Sequence, residues 1–273
     1  MDDDVIRSRS NALVKRLVRM RERRARQREG VMLVEGAREL DRAVTAGWQL
    51  ALLARCPEVY SADARSVAER LLAAAASSRC LTPDVFAKAS LREHPDGLLG
   101  LVRTPTVTLD ALNWPADALY LVVAGLEKPG NVGALLRSAD AVGCHAVFLT
   151  GEGTDLGNPN VVRASMGSLF SQPVLHVDDA TLRAALKNHG VRLVATSPSA
   201  NRDHWSASLL GSVAVVVGPE HSGLEADWLR AADEVVSIPM RGAADSLNVA
   251  TSGALVLFEA LRQRAAATTD QMG

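Results

Sequence analysis

The chain has 273 residues, 48% of them hydrophobic and 22% charged, with 20 glycines and 11 prolines. That composition excludes a disordered or fibrous protein and suffices for two domains or one large one. Net charge is −1 and aromatics make up 4%, so stacking platforms for bases are poorly supplied, and any contact with nucleic acid has to rest on Arg, Lys and backbone groups.

Charge is unevenly spread: residues 1–103 hold 19 Lys and Arg against 14 Asp and Glu, whereas residues 104–273 hold 11 against 17. The start, MDDDVIRSRS, has no apolar leader, and no apolar run approaches the ~18 residues needed to cross a bilayer, so a cytoplasmic protein is expected. From Ser10 to Arg28, Leu13, Val14, Leu17, Val18 and Met20 fall at helical spacing. Between them Lys15, Arg16, Arg19, Arg21, Arg23, Arg24, Arg26 and Arg28 crowd fourteen residues, opposed only by Glu22. Such a helix either attracts a polyanion or is a solvated face.

Val31–Glu35 reads as a strand, Ala37–Ala46 as a helix, Leu50–Leu53 as a strand and Asp63–Ala76 as an Ala-rich helix. Thr82 before Pro83 marks another helix start, and Gly97–Val102 reads as a closing strand. This alternation predicts a small α/β domain over 1–103. Residues 104–117, with Pro105, Asn113 and Pro115, read as a linker. The short Val- and Leu-rich runs Ala118–Ala124, Ala146–Thr150, Val191–Thr196 and Val213–Val217 then read as buried parallel strands of a second domain, 118–273, closed by a helix over Ser246–Arg264. Cys56, Cys80 and Cys144 form no CxxC pair, and the six histidines show no paired ligand spacing, so neither a disulfide framework nor a metal is expected.

After the first of these strands comes Gly125-Leu-Glu-Lys-Pro-Gly130, which has P-loop spacing, but Asn131-Val132 stands where Lys-Ser/Thr belongs, and no GxGxxG opens the helix. A kinase, an ATPase and an ordinary dehydrogenase are disfavoured. What remains is Asn131-x-Gly133-x3-Arg137, with Arg137 the polar exception among Ala134, Leu135, Leu136, Ala139 and Val142. Gly218-Pro-Glu220-His-Ser-Gly223 follows the last strand, where two glycines around an acid suit either a ligand crevice or a plain capped turn. A third cluster is Ile238-Pro-Met240 with Ser246-Leu247-Asn248, whose Ser and Asn are also ordinary helix-start residues.

Together, in this order and spacing, the three clusters resemble the motifs of the SpoU (TrmH-like) RNA ribose 2′-O-methyltransferases of the SPOUT superfamily. Arg163 through Pro173 resembles that family's intermediate segment, and the stretch from Ser10 to Gly36 is similar to its L30e-like substrate-binding domain. The resemblance implies a parallel α/β sheet with a deep trefoil knot, a homodimer, and S-adenosyl-L-methionine held by Gly218, Ile238 and Leu247 with Thr196, Ser197, Pro219, Pro239 and Met240 around them. It implies transfer of a methyl group to a ribose 2′-hydroxyl, with 23S rRNA the expected substrate, and Arg137 central. A guanidinium does not give up its proton near neutral pH, so Arg137 is expected to clamp a phosphate and polarise the hydroxyl. Asn131, Glu220, Ser246 and Asn248 would orient it and the ribose, with Glu220 paired to Arg137. Arg16, Arg19, Arg23, Arg24, Arg26 and Arg163 are the expected RNA contacts. A tRNA substrate, a base methyltransferase and a non-catalytic RNA-binding or ribosome-assembly factor on the same fold are the alternatives.

Overall fold

The computed structural model describes residues 5–270, so the acidic start Met1–Asp4 lies outside the described residues. The chain forms two compact units: one runs to Thr106 and also takes in Asp155–Ser171, the other comprises Val107–Thr154 and the chain from Gln172 onward.

In the first unit the Arg-rich stretch is two helices, α1 (Ala12–Arg19) and α2 (Arg23–Glu29), where one had been expected. Asn11 opens α1, its side chain accepting from Leu13 N at 2.8 Å. The break has a cause: Arg26 reaches back and donates from Nη1 to the carbonyls of Met20 at 2.9 Å and Arg21 at 2.7 Å, satisfying groups that a continuous helix would have used. Next come β1 (Val31–Glu35), α3 (Ala37–Thr45), β2 (Leu50–Arg55), α4 (Ala62–Ala74), β3 (Ser78–Cys80), α5 (Pro83–Ala89) and β4 (Leu98–Arg103). The sheet order is β1-β4-β2-β3, with β4 antiparallel to β1 and β2, and β3 parallel to β2. The apolar side of α1, through Val14 and Leu17, packs into the same core as Phe86, Leu99 and Leu101.

The second unit begins inside the stretch read as a linker. Leu109, Leu112 and Trp114 pack on its core, and Trp114 stacks on His189 at 4.4 Å. Then follow β5 (Leu119–Ala124), α6 (Pro129–Val142) and β6 (Ala146–Thr150). Here the chain leaves for the first unit, where it forms α7 (Pro159–Ala164), pairs Asp155 with Arg26 and sets Phe170 edge-on to Trp48 at 5.0 Å. It returns as β7 (Val174–His176), α8 (Asp179–Asn188), β8 (Arg192–Thr196), β9 (Val213–Val217), α9 (Ala226–Ala231), β10 (Glu234–Val236) and α10 (Val249–Asp270).

All six strands of this sheet run parallel, in the order β10-β8-β9-β5-β6-β7. Its central strands β5 and β9 are buried along their whole length, as expected of a sheet covered on both faces. Helix α10 packs against α6, where a Cβ on Gly253 would stand 2.5 Å from Leu135 Cδ2, so the glycine sets the closeness of the two helices. That helix starts at Val249, three residues later than the sequence pattern indicated. Among the described residues no helix is long and apolar enough to cross a membrane.

Candidate active site

Because β5, β8, β9 and β10 are parallel, the loops that follow them leave the same edge of the sheet, where open α/β sheets bind ligands. The register places Ala195 beside Val216, Thr196 beside Val236 and Val123 beside Val217. The loops after β8, β9 and β10 enclose a cavity of about 590 Å³. All eight residues expected to hold the cofactor line it: Thr196, Ser197, Gly218, Pro219, Ile238, Pro239, Met240 and Leu247, with Glu220 and Ser246 beside them.

Local geometry fixes this wall. Thr196 Oγ1 donates to Val216 O at 3.1 Å, and Ser197 N donates to Val236 O at 2.9 Å. At Gly218 an added Cβ would lie 2.8 Å from Leu224 Cδ2 and 3.0 Å from Leu224 N, so only glycine lets the 218–224 loop fold this tightly. Among the described residues, no protein group accepts from the backbone N–H of Ile238, Met240 or Leu247. Apolar side chains next to free backbone donors, with few charges, form a set suited to a nucleoside such as that of S-adenosylmethionine.

Residues from the three sequence clusters meet at Glu220. Its Oε1 accepts from Asn131 Nδ2 at 3.1 Å, from Asn248 Nδ2 at 2.6 Å and from Val249 N at 3.3 Å, while Oε2 takes Lys128 Nζ at 3.1 Å. Asn248 also donates to Asn131 Oδ1 at 3.1 Å and opens α10, its Oδ1 accepting from Ala250 N at 3.0 Å. The Lys128 ammonium, followed by the Val249 N–H, holds the Glu220 carboxyl below its ordinary range. Glu220 is therefore an anion that orders two amides and a helix start.

A second cavity, of about 650 Å³, shares the Pro219–Leu224 wall with the first and includes Asn131 and Lys128. Asp179 lines it and accepts from the Nε1–H of the buried Trp228 at 2.6 Å. Among the described residues no group of three or more His, Cys, Asp or Glu is placed to hold a metal ion.

The SpoU rRNA Methylase family matches residues 118–258, and an MRM3-like substrate binding domain matches 11–100. The chain belongs to the SpoU rRNA methylase family. It is 33% identical to the 23S rRNA (uridine(2479)-2'-O)-methyltransferase of Streptomyces viridochromogenes, over 90% of this chain and 88% of that one. A crystal structure of an RNA 2'-O ribose methyltransferase superposes with a TM-score of 0.84 at 44% identity, covering 96% of this chain and 99% of the other. The SpoU methyltransferase AviRb from Streptomyces viridochromogenes, in complex with the cofactor AdoMet, superposes with a TM-score of 0.85 at 30% identity, covering 94% and 100%.

One expectation drawn from the SpoU motifs needs correction. Glu220 does not pair with Arg137: Arg137 is exposed on α6, lines neither cavity and makes no hydrogen bond or ion pair among the described residues. Six residues beyond Asn131 is about 120° off its helix face and ~9 Å along the axis, which turns the guanidinium away. Lys128, which the motif reading passed over, takes its place. Ser246 lines the first cavity but stands outside the Glu220 hydrogen bonds.

Arg26, expected among the RNA contacts, is instead buried in an ion pair. It is 4% exposed and forked onto Asp155 at 3.1 and 3.0 Å. Arg19, Arg23 and Arg24 are exposed, Arg16 is half-exposed and bound to Glu29 at 2.7 Å, and Arg163 is exposed with Nη2 donating to Asn160 Oδ1 at 3.1 Å.

Proposed function

We propose that the protein transfers a methyl group from S-adenosylmethionine to a ribose 2′-hydroxyl of 23S rRNA. The observation that carries this reading is the meeting of Asn131, Glu220 and Asn248 at the rim of a cavity lined by all eight expected cofactor residues. The loops after β8 and β9, with the Ile238–Met240 and Leu247 segments, would hold the nucleoside, and the bound cofactor supplies an electrophilic methyl. Asn131 and Asn248 are each fixed by Glu220, which lines both cavities, and this suits holding a sugar hydroxyl in line for transfer. Residues 1–103 take the role of RNA capture, with Arg19, Arg23 and Arg24 as phosphate contacts, and 104–117 connects the two parts.

The reading includes a homodimer and the trefoil knot. In support of the dimer, α10 leaves Leu255, Phe258 and Leu261 about 40–50% exposed at helical spacing on one face. In support of the knot, the loops after β8, β9 and β10 all line one cavity. Dimerisation also gives Arg137 a task, because a guanidinium that faces away from its own cavity can serve the partner's.

The test is incubation of unmodified 23S rRNA with the protein and methyl-labelled S-adenosylmethionine, followed by nucleoside analysis. A single 2′-O-methylated nucleoside is expected, and label on a base or on no nucleoside overturns the reading. Arg137→Ala should lower the rate about 10³-fold. Mixed with Glu220→Gln protein it should recover about a quarter of the parent rate through heterodimers that keep one intact site.

A further inference from the structure

Lys128 precedes α6, and its side chain is 66% exposed with Nζ 3.1 Å from Glu220 Oε2. Among the described residues it is the one Lys or Arg lining the 650 Å³ cavity, whose wall otherwise carries the carboxylates of Glu127, Glu152, Asp179, Glu220 and Glu225. A polyanion meets repulsion along this wall except at that ammonium. An ammonium has three N–H donors, and Glu220 takes one of them.

We propose that Lys128 is a substrate-binding residue: it takes a backbone phosphate of the nucleotide to be modified while keeping its bond to Glu220. The inference rests on the methyltransferase reading and deepens it, since it names the phosphodiester as the group that sets the nucleotide's register. The surrounding carboxylates make the contact selective, because a phosphate displaced toward Glu127, Glu152 or Glu225 meets like charge. Through Oε1 of Glu220 the same cation is one hydrogen bond removed from Asn131 and Asn248. Phosphate capture and the orientation of the two amides therefore share one ion pair.

The full-length chain, Lys128→Met and Lys128→Arg are titrated with a 23S rRNA transcript over a range of salt, and with S-adenosylhomocysteine by calorimetry. Loss of one phosphate contact should lower the slope of log K against log salt by about 0.7–0.9 and weaken binding about fivefold near 0.1 M salt, with Lys128→Arg restoring both. S-adenosylhomocysteine affinity, which involves no phosphate, should be the same in all three and reports that the variants are folded. A parental slope in Lys128→Met overturns the assignment to phosphate. That outcome differs from failure of the methyltransferase reading, in which the parent protein itself forms no 2′-O-methyl nucleoside.

Discussion

Two charged side chains organise the two units, and they do so at opposite ends of solvent exposure. Arg26 is 4% exposed and holds Asp155, Met20 and Arg21 together across 129 residues of sequence. Glu220, at 20% exposure, holds Lys128, Asn131, Asn248 and Val249 at the mouth of two cavities. Both are hubs, but a charge sealed from water is committed to the fold, because breaking it leaves its partner uncompensated. A charge that water and substrate can reach is available for chemistry.

The contrast can be broken most forcefully at Arg26. Arg26→Ala should cost about 3–5 kcal/mol of stability by denaturant unfolding, the range for breaking a buried ion pair, and should leave the salt dependence of RNA binding unchanged. If binding weakens while stability holds, Arg26 belongs with the RNA contacts after all. At the other hub, Glu220→Gln should slow single-turnover methyl transfer about 10²-fold through misplacement of Asn131 and Asn248. A smaller effect separates the exposed arginines from the buried one: Arg19→Ala with Arg24→Ala should reduce the salt slope of RNA binding by about 1.4–1.8.

The least change is expected with pH. The Glu220 carboxyl titrates below its ordinary value of 4.5 when folded, so its contribution is complete above that value and is lost as pH falls through the lower, folded one. The parent should then be more stable than Lys128→Met above about pH 4.5, and the two profiles should converge as pH falls through the folded value and Glu220 is protonated in both. A gap that stays constant down to the acid limit would mean that Lys128 does not hold Glu220 in solution.

Much of the second unit was legible because its signals are local. Val-rich runs such as Val213–Val217 mark strands buried on both faces, and Asn131, Glu220 and Asn248 lie just beyond elements that a parallel sheet brings to one edge. The three-residue strands β3, β7 and β10 are too short to display a period. The fate of Arg26 was illegible, since nothing near it in sequence distinguishes it from Arg24, and its carboxylate lies far along the chain. Lys128 was overlooked for a related reason: it matters through Glu220, 92 residues away. The start of α10 was placed three residues early because Ser246 and Asn248 are both good caps, and only the tertiary bond from Asn248 to Glu220 selects between them.

The loan of Asp155–Ser171 to the first unit has a consequence for how this molecule can be cut and recombined. A fragment ending near Thr106 lacks the carboxylate that neutralises Arg26 and the ring that covers Trp48. The chain passes between the units three times, so neither half is a transplantable cassette. Any chimera that exchanges RNA specificity has to carry the 155–171 excursion along with the amino-terminal part.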